Sequence, residues 1–566
     1  MDWIQLAIFL VILLLLAKPV GIYIGQVLEP GAKTALDRLL KPMERGIYRW
    51  SGIEEEREQD WKEYLISVLG FSFVSFLFVA LILAFQYYLP LNPQKWGAPS
   101  WDLNLNTSIS FMTNTNWQSY GGESTLSYFS QMVALTVQNF VSAAVGLAVA
   151  AAFVRGISRQ GVKTIGNFWA DLVRICLYLL LPICLIAATL FIATGVPQNF
   201  KPYTEAVGLE GEKQKIVQGP IASQQAIKLL GTNGGGYTNV NSAHPFENPT
   251  PLSNFLQMVL ILLVPISQFY YFGRAVKDTK HGWSIISALL VLFVLGAWLC
   301  GTCESRGNPQ IAHFGVMGGN MEGKEHRFGI FDSALFATTT TATSCGAVNC
   351  SHDSLTPIGG FVPMLNMQLC EVIFGGVGAG LYSVLLYVIL CIFISGLMIG
   401  RTPEYLGKKI EAFDMKMTMF AVLYFVMVVH GFTGLASFFP WGINALGNTG
   451  PHGFSEILYA FSSCSANNGS AFAGLSANHP VYNLSLAAAM LLGRFLVIGP
   501  VIALAGSFAS KKVHPQSAGS FPVSSPVFVT LLIAVIILLG ALTFFPALTM
   551  GPIIEYFYML KGHLFS

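Results

Sequence analysis

The sequence predicts an all-α polytopic membrane protein. It is built as four pseudo-symmetric repeats of span, short re-entrant helix, polar segment and span, with one further span at each end. Three observations predict this. Only 11% of the 566 residues are charged, against about 25% in ordinary soluble domains, and mean hydropathy is +0.59. Ten stretches are apolar enough, over about 20 residues, to cross a bilayer. Four of the connecting segments repeat one polar pattern. A soluble enzyme and a disordered chain are excluded, because a soluble surface needs far more charge. A net charge of +2 leaves no basic excess for nucleic acid.

The expected spans, in order, are 3–25, 63–88, 127–152, 172–195, 253–273, 283–303, 362–399, 417–438, 483–507 and 525–547. The first has neither a basic leader nor a small-residue cleavage site, so it reads as a retained span. The connector 26–62 contains EEEREQD, Glu54 to Asp60, which reads as a solvated face. The seventh stretch is too long for one straight helix. Gly375, Gly376, Gly378 and Gly380 fall within six positions at its centre and should interrupt it. Such a break survives at membrane depth only when buried in protein or lining a cavity. A close helix-packing patch of small residues is the other reading.

Orientation follows from the basic residues. Segments 26–62, 153–174, 274–280, 401–416 and 511–512 hold 20 of the 31 Lys and Arg, and the alternate loops hold 9. This places both termini outside. The units are then 1–62, a first span and connector; 63–165, 166–280, 281–416 and 417–512, the four repeats; and 513–566, the last span and C-terminus.

The outside segments carry the repeated pattern. Thr113-Asn114-Thr115-Asn116 aligns with Thr232-Asn233-Gly234-Gly235, Thr343-Ser344-Cys345-Gly346 and Ala466-Asn467-Asn468-Gly469. Each follows a short semi-apolar stretch that reads as a re-entrant helix. Backbone such as TNGGG cannot face lipid, because its amides would be unsatisfied. On a central axis its carbonyls can replace the hydration shell of a cation. The re-entrant helices would aim their partly negative C-termini there. None of the four segments contains a charged side chain. Divalent-cation pores use carboxylate rings, so the uncharged oxygens point to a monovalent cation, potassium before others.

These residues resemble the superfamily of potassium transporters that includes the Trk, Ktr and HKT proteins. Within it they resemble most closely the A subunits of bacterial Kdp potassium-transporting ATPases. The resemblance rests on TNTNWQSYGGE (113–123), GTNGGGYTNVNSAHPFENPTPLSNF (231–255), TTTTATSCGAVNCSHDSLTPIGG (338–360), FGGVGAGLY (374–382) and SCSANNGSAFAGL (463–475), and it covers essentially the whole chain. It implies a potassium-binding selectivity filter at the sixteen aligned residues and a multi-pass protein of the bacterial inner membrane. It also implies lateral delivery of K+, through an intramembrane tunnel, to a P-type ATPase, the B subunit of such complexes. A C subunit and a very small F subunit would complete the complex. ATP would be used by the partner only: the chain has neither a G-x-x-x-x-G-K-[ST] loop nor D-K-T-G-T, so it is read as a non-catalytic subunit. A Trk- or Ktr-type subunit without a P-type partner is the alternative. An intramembrane enzyme lacks any G-x-S-x-G, H-E-x-x-H or clustered catalytic set. No repeat carries TVGYG, and Asn116 stands where the others align glycine, so the filter should be asymmetric.

Further residues complete the expectations. Gln118, two residues after the first polar segment, reads as an ion-affinity position or as filter support. Arg494, mid-span, is costly there. It either repels a cation from the direct route inward or pairs structurally with a carbonyl or Glu371. Glu371, just before the glycine break, either pairs with Arg494 or lines the path. Arg401 should snorkel at the interface. Asp332 reads as a helix N-cap. His244 and His452 read as loop-ordering residues, and Gly407-Lys408-Lys409 as a helix end. The nine cysteines make no disulfide framework, and Cys300-x-x-Cys303 reads as a helix end.

Overall fold

The computed structural model describes residues 2–29, 31–316, 318–370, 372–398, 400, 402–514 and 521–562. Ten helices among them are long and apolar enough to span a membrane. The chain runs α1 (Asp2–Leu28), α2 (Asp37–Ser51), α3 (Trp61–Phe85), α4 (Trp101–Met112) and α5 (Ser130–Ser158). It continues with α6 (Phe168–Ala193), α7 (Ile221–Leu230), α8 (Pro251–Ala275), α9 (Thr279–Arg306) and α10 (Gly329–Ala342). It ends with α11 (Pro357–Gln368), α12 (Ala379–Met398), α13 (Ala412–Phe438), α14 (Gly450–Ala466), α15 (Pro480–Ser510) and α16 (Pro526–Leu548). Sheet is confined to three two-stranded ribbons.

Helix starts follow local chemistry. Asn167 caps α6 through the amides of Trp169 and Ala170 at 3.0 and 3.3 Å. Thr250 and Ser253 form a reciprocal capping box on α8, with Pro251 at its first position. Burial then sorts the spans. α5 and α8 are 89% and 83% buried over their apolar windows, whereas α1 and α3 are 28% buried. α5 can pack closely on α15 because it is rich in Gly and Ala. A Cβ on Gly156 would lie 2.6 Å from the Cα of Ala505 in α15.

The four short helices α4, α7, α10 and α14 each end directly at one of the polar segments, as expected for re-entrant helices. The seventh apolar stretch is two helices, α11 and α12, separated by irregular backbone around the glycines, and only α12 is long enough to cross.

Several expectations are corrected. Asp332 is not an N-cap: α10 begins at Gly329 with Phe328 at the cap position, and Asp332 sits in the first turn. Gly407-Lys408-Lys409 is not a helix end. Glu404–Tyr405 and Lys408–Lys409 pair as a hairpin, and Gly407 takes φ 78° in its turn. Lys408 is buried, and its ammonium donates to the carbonyls of Gly156 (2.9 Å), Phe508 (2.7 Å) and Arg159. It therefore joins the C-terminal ends of α5 and α15, where a cation is favoured. Lys228 and Lys324 are not free loop cations. Both are buried against carboxylates, Lys228 on Glu247 and Lys324 on Glu304 at 2.7 Å. The run at 54–60 is partly engaged: Glu58 meets Arg159 at 2.8 Å, and Asp60 caps α3. Glu371 and Arg401 lie outside the described residues.

Candidate functional site

Each polar segment is tied to its own re-entrant helix in the same way. The amide of Thr115 donates to Ser110 O (2.9 Å), Asn233 to Lys228 O (2.9 Å), Cys345 to Thr340 O (3.4 Å) and Asn468 to Ser463 O (2.9 Å). Each bond spans five residues. This fixes the structural equivalence and corrects the alignment in the second repeat by one position. Asn116, Gly234, Gly346 and Gly469 are equivalent, and Gly235 lies one residue beyond. Backbone signs agree: Asn114, Thr232 and Asn467 have φ of 66°, 49° and 59°. At the next-but-one position Asn116, Gly234 and Gly469 have φ of 54°, 83° and 102°. Asparagine is among the few L-residues that enter this region readily, which accounts for Asn116 where the other repeats use glycine.

The segments meet in a closed ring. Asn114 Nδ2 donates to Gly231 O (3.4 Å) and Thr232 O (3.3 Å), joining the first to the second. Gly346 N donates to Asn233 O at 3.4 Å, joining second to third. Asn468 Nδ2 donates to Thr343 O at 2.9 Å, joining third to fourth. Asn467 Nδ2 donates to Thr115 Oγ1 at 2.9 Å, returning to the first. Glycine is required at this approach. A Cβ on Gly346 would lie 2.7 Å from Asn468 O and 3.0 Å from Gly469 Cα, and one on Gly469 would strike Thr115 O.

The side chains behind the ring hold it from outside. Ser142 Oγ donates to Asn114 Oδ1 at 2.7 Å, and Asn116 Nδ2 to Asn139 Oδ1 at 2.8 Å, both anchors coming from α5. Gln118 clamps Gly236: its Oε1 accepts from Gly236 N at 2.9 Å and its Nε2 donates to Gly236 O at 3.2 Å. Among the described residues, Asn116 Oδ1 and Asn233 Oδ1 are buried with no hydrogen-bond partner.

The glycine break lies directly against this ring. Gly375 N donates to Ala342 O at 3.0 Å, and Val377 N to Thr232 Oγ1 at 3.0 Å. A Cβ on Gly376 would stand 2.7 Å from Ser344 Oγ. Gln268 of α8 brackets the loop, accepting from Gly378 N at 2.9 Å. A Cβ on Gly380 would strike Phe374 O and one on Gly378 would strike Gly146 O, so three of the four glycines sit in close approaches, and Gly375 takes φ 61°. Arg494 is 5% exposed, and its Nη2 donates to Ser142 O at 3.3 Å. Together with Ser344, Gly380, Asn467 and Gly493 it lines a cavity of about 50 Å³ between the third and fourth segments, walled further by α12 and α13.

The second segment has an ionic scaffold that the sequence reading missed. Lys228 Nζ donates to Asn241 Oδ1 at 2.6 Å and meets Glu247. Asn241 Nδ2 in turn donates to Gly234 O at 2.6 Å. A lone lysine in the apolar helix IASQQAIKLL was the available signal.

The two histidines behave as expected. His244 Nδ1 accepts from Phe246 N at 3.1 Å. His452 bridges Glu555 (2.8 Å) and Asp353 (3.1 Å) through its two ring nitrogens. Burial opposes the imidazolium, but those two carboxylates outweigh it and raise the pKa to about 10. Ligand atoms of Asp353, His452 and Glu456 lie within 4.8 Å of one another; with both nitrogens committed to carboxylates, His452 is a clamped cation. Cys300 and Cys303 lie within α9, and Cys300 Sγ donates to Gly359 O at 3.6 Å.

Residues 7–557 match the family model described as "Potassium-transporting ATPase A subunit", KdpA. A potassium-transporting ATPase potassium-binding subunit of Brucella anthropi is 54% identical over 564 residues, covering 100% of this chain and 99% of its own length. Proteins with the same name from Solibacter usitatus and Methylobacterium nodulans are 54% and 53% identical, covering 99% and 100% of this chain and 99% of their own lengths.

Proposed function

This chain belongs to the potassium-transporting ATPase A-subunit family, and from that premise we propose that it binds external K+ in the four-segment ring and passes it onward within the membrane. The ring itself is the observation that supports this most. Four short backbone segments, free of charged side chains, converge from four re-entrant helices. Carbonyl, amide and hydroxyl oxygens are the ligands a dehydrated potassium ion takes.

The chain is the non-catalytic, ion-binding part of an ATP-driven uptake complex. A P-type ATPase, the Kdp-type B subunit, supplies the energy, and the C and F subunits complete the assembly in the bacterial inner membrane. Thr113 to Asn116, Thr232 to Gly235, Thr343 to Gly346 and Ala466 to Gly469 form the filter, and Gln118 supports it. The loop at Gly375 to Gly380 and Arg494 bar the direct route below. The cavity between the third and fourth segments is the first stretch of a sideways path toward the partner.

The test is reconstitution of the complete complex in proteoliposomes, with potassium flux and ATP hydrolysis measured together. Potassium should drive ATP hydrolysis and enter against its gradient only when this chain is present. Potassium-stimulated hydrolysis that persists in a complex lacking it would overturn the assignment.

Both termini are placed outside. In intact cells an impermeant thiol reagent should label a cysteine at position 210 and fail at position 160. The reverse pattern would invert the topology.

A further inference from the structure

We infer that α2 is an interfacial helix that lies on the membrane surface and binds the headgroups of anionic phospholipid. Its depth is fixed by what it packs against. Leu40 clusters with Val27 of α1 and Tyr178 of α6. Glu44 accepts from Tyr178 Oη at 2.7 Å and from Arg174 Nη1 at 3.3 Å. Arg174 Nε in turn donates to Val27 O at 2.7 Å. Val27 and Tyr178 both belong to spanning helices. So α2 runs beside the last turn of α1 rather than beyond it, at the level where headgroups meet acyl chains.

The rest of its surface meets no other described residue closely and divides into two stripes. Leu39, Met43 and Trp50 are 75%, 51% and 91% exposed. At 100° per residue they fall within one narrow sector. Arg38, Lys41, Arg45 and Arg49 are also exposed and form an adjoining sector. Its own acids offset only part of this charge: Glu44 is buried against Arg174, and Asp37, held by the Thr34 hydroxyl at 2.6 Å, faces Lys41 alone of the four. The acidic run that follows lies beyond the left-handed cap at Gly52 (φ 67°). At this depth the apolar stripe meets acyl chains and the basic stripe meets phosphates, the pattern by which amphipathic helices hold an anionic surface. A neutral leaflet leaves most of that positive charge without counter-charge.

A photo-crosslinking amino acid placed at Met43 in the complete complex tests this. The complex is reconstituted in vesicles of equal phosphatidylcholine and phosphatidylglycerol, and adducts are identified by mass. The control position is Leu15, 70% exposed on α1. Position 43 should give phospholipid adducts, with phosphatidylglycerol enriched about threefold or more relative to position 15. High salt, or the variant R38Q/K41Q/R45Q/R49Q, should abolish the enrichment and leave the lipid adduct. Adducts to a partner-subunit peptide would make α2 a protein interface instead. Equal lipid ratios at 43 and 15, or no lipid adduct at 43, would also overturn the inference.

Discussion

Gly346→Asp should weaken apparent potassium affinity by at least about tenfold, or about 1.4 kcal/mol, and should admit sodium. Two effects act together. Any Cβ at this position meets Asn468 O at 2.7 Å and Gly469 Cα at 3.0 Å, so the third and fourth segments must separate. A carboxylate then enters a ring whose selectivity rests on uncharged oxygens at fixed spacing. Gly346→Ala isolates the first effect and should cost less than the aspartate. Gly234→Asp should behave like Gly346→Asp, because the amide hydrogen bonds place Gly234 at the equivalent position in the second repeat. Growth on limiting potassium and competition by sodium in reconstituted uptake are the measurements. Wild-type affinity and selectivity in both aspartate variants would show that these glycines do not line the ion site.

That equivalence marks where sequence reading ran out. Spans are legible because apolar length alone sets them, and the break in the seventh was legible because four glycines in six positions cannot continue a helix. The four polar segments were legible as a repeat. Their register in the second was not, since Gly234, Gly235 and Gly236 are identical letters and only the hydrogen bond from Asn233 N to Lys228 O decides between them. Lys228 was counted as a loop cation because its partner, Glu247, lies 19 residues away, beyond any local pattern. Asp332 misled for the opposite reason. A local N-cap pattern was present, but the helix starts three residues earlier at Gly329, whose φ of 72° turns the chain into it. Lys408 shows the same limit, for the three carbonyls it joins come from residues 156, 159 and 508.

Arg494→Gln or Arg494→Met should create a potassium leak uncoupled from ATP, or lower ATP-coupled uptake. Four converging segments would by symmetry open straight down their axis. On the proposed reading two features would stand in that route. The guanidinium donates to Ser142 O, and Ser142 also holds Asn114 of the first segment, so the charge sits close to the ring. A potassium ion within about 4 Å of it meets about 4 kcal/mol of repulsion at an effective dielectric near 20, and nearby carbonyls offset part of that. The loop at 375–378 is the second obstacle, fastened to the ring through Val377 N and Thr232 Oγ1 and to α8 through Gln268. The cavity lined by Ser344, Asn467 and Arg494 is walled by α12 and α13, and the proposed sideways path would run on that side. Deleting residues 376–379 should therefore produce a leak of the same kind, and the Lys variant at 494, which keeps the charge, should restore coupling in part. Flux and ATP hydrolysis must be followed together in proteoliposomes, because a folding defect lowers both while a leak separates them. Tight coupling with no leak in both the Gln and the deletion variants would make Arg494 a structural charge.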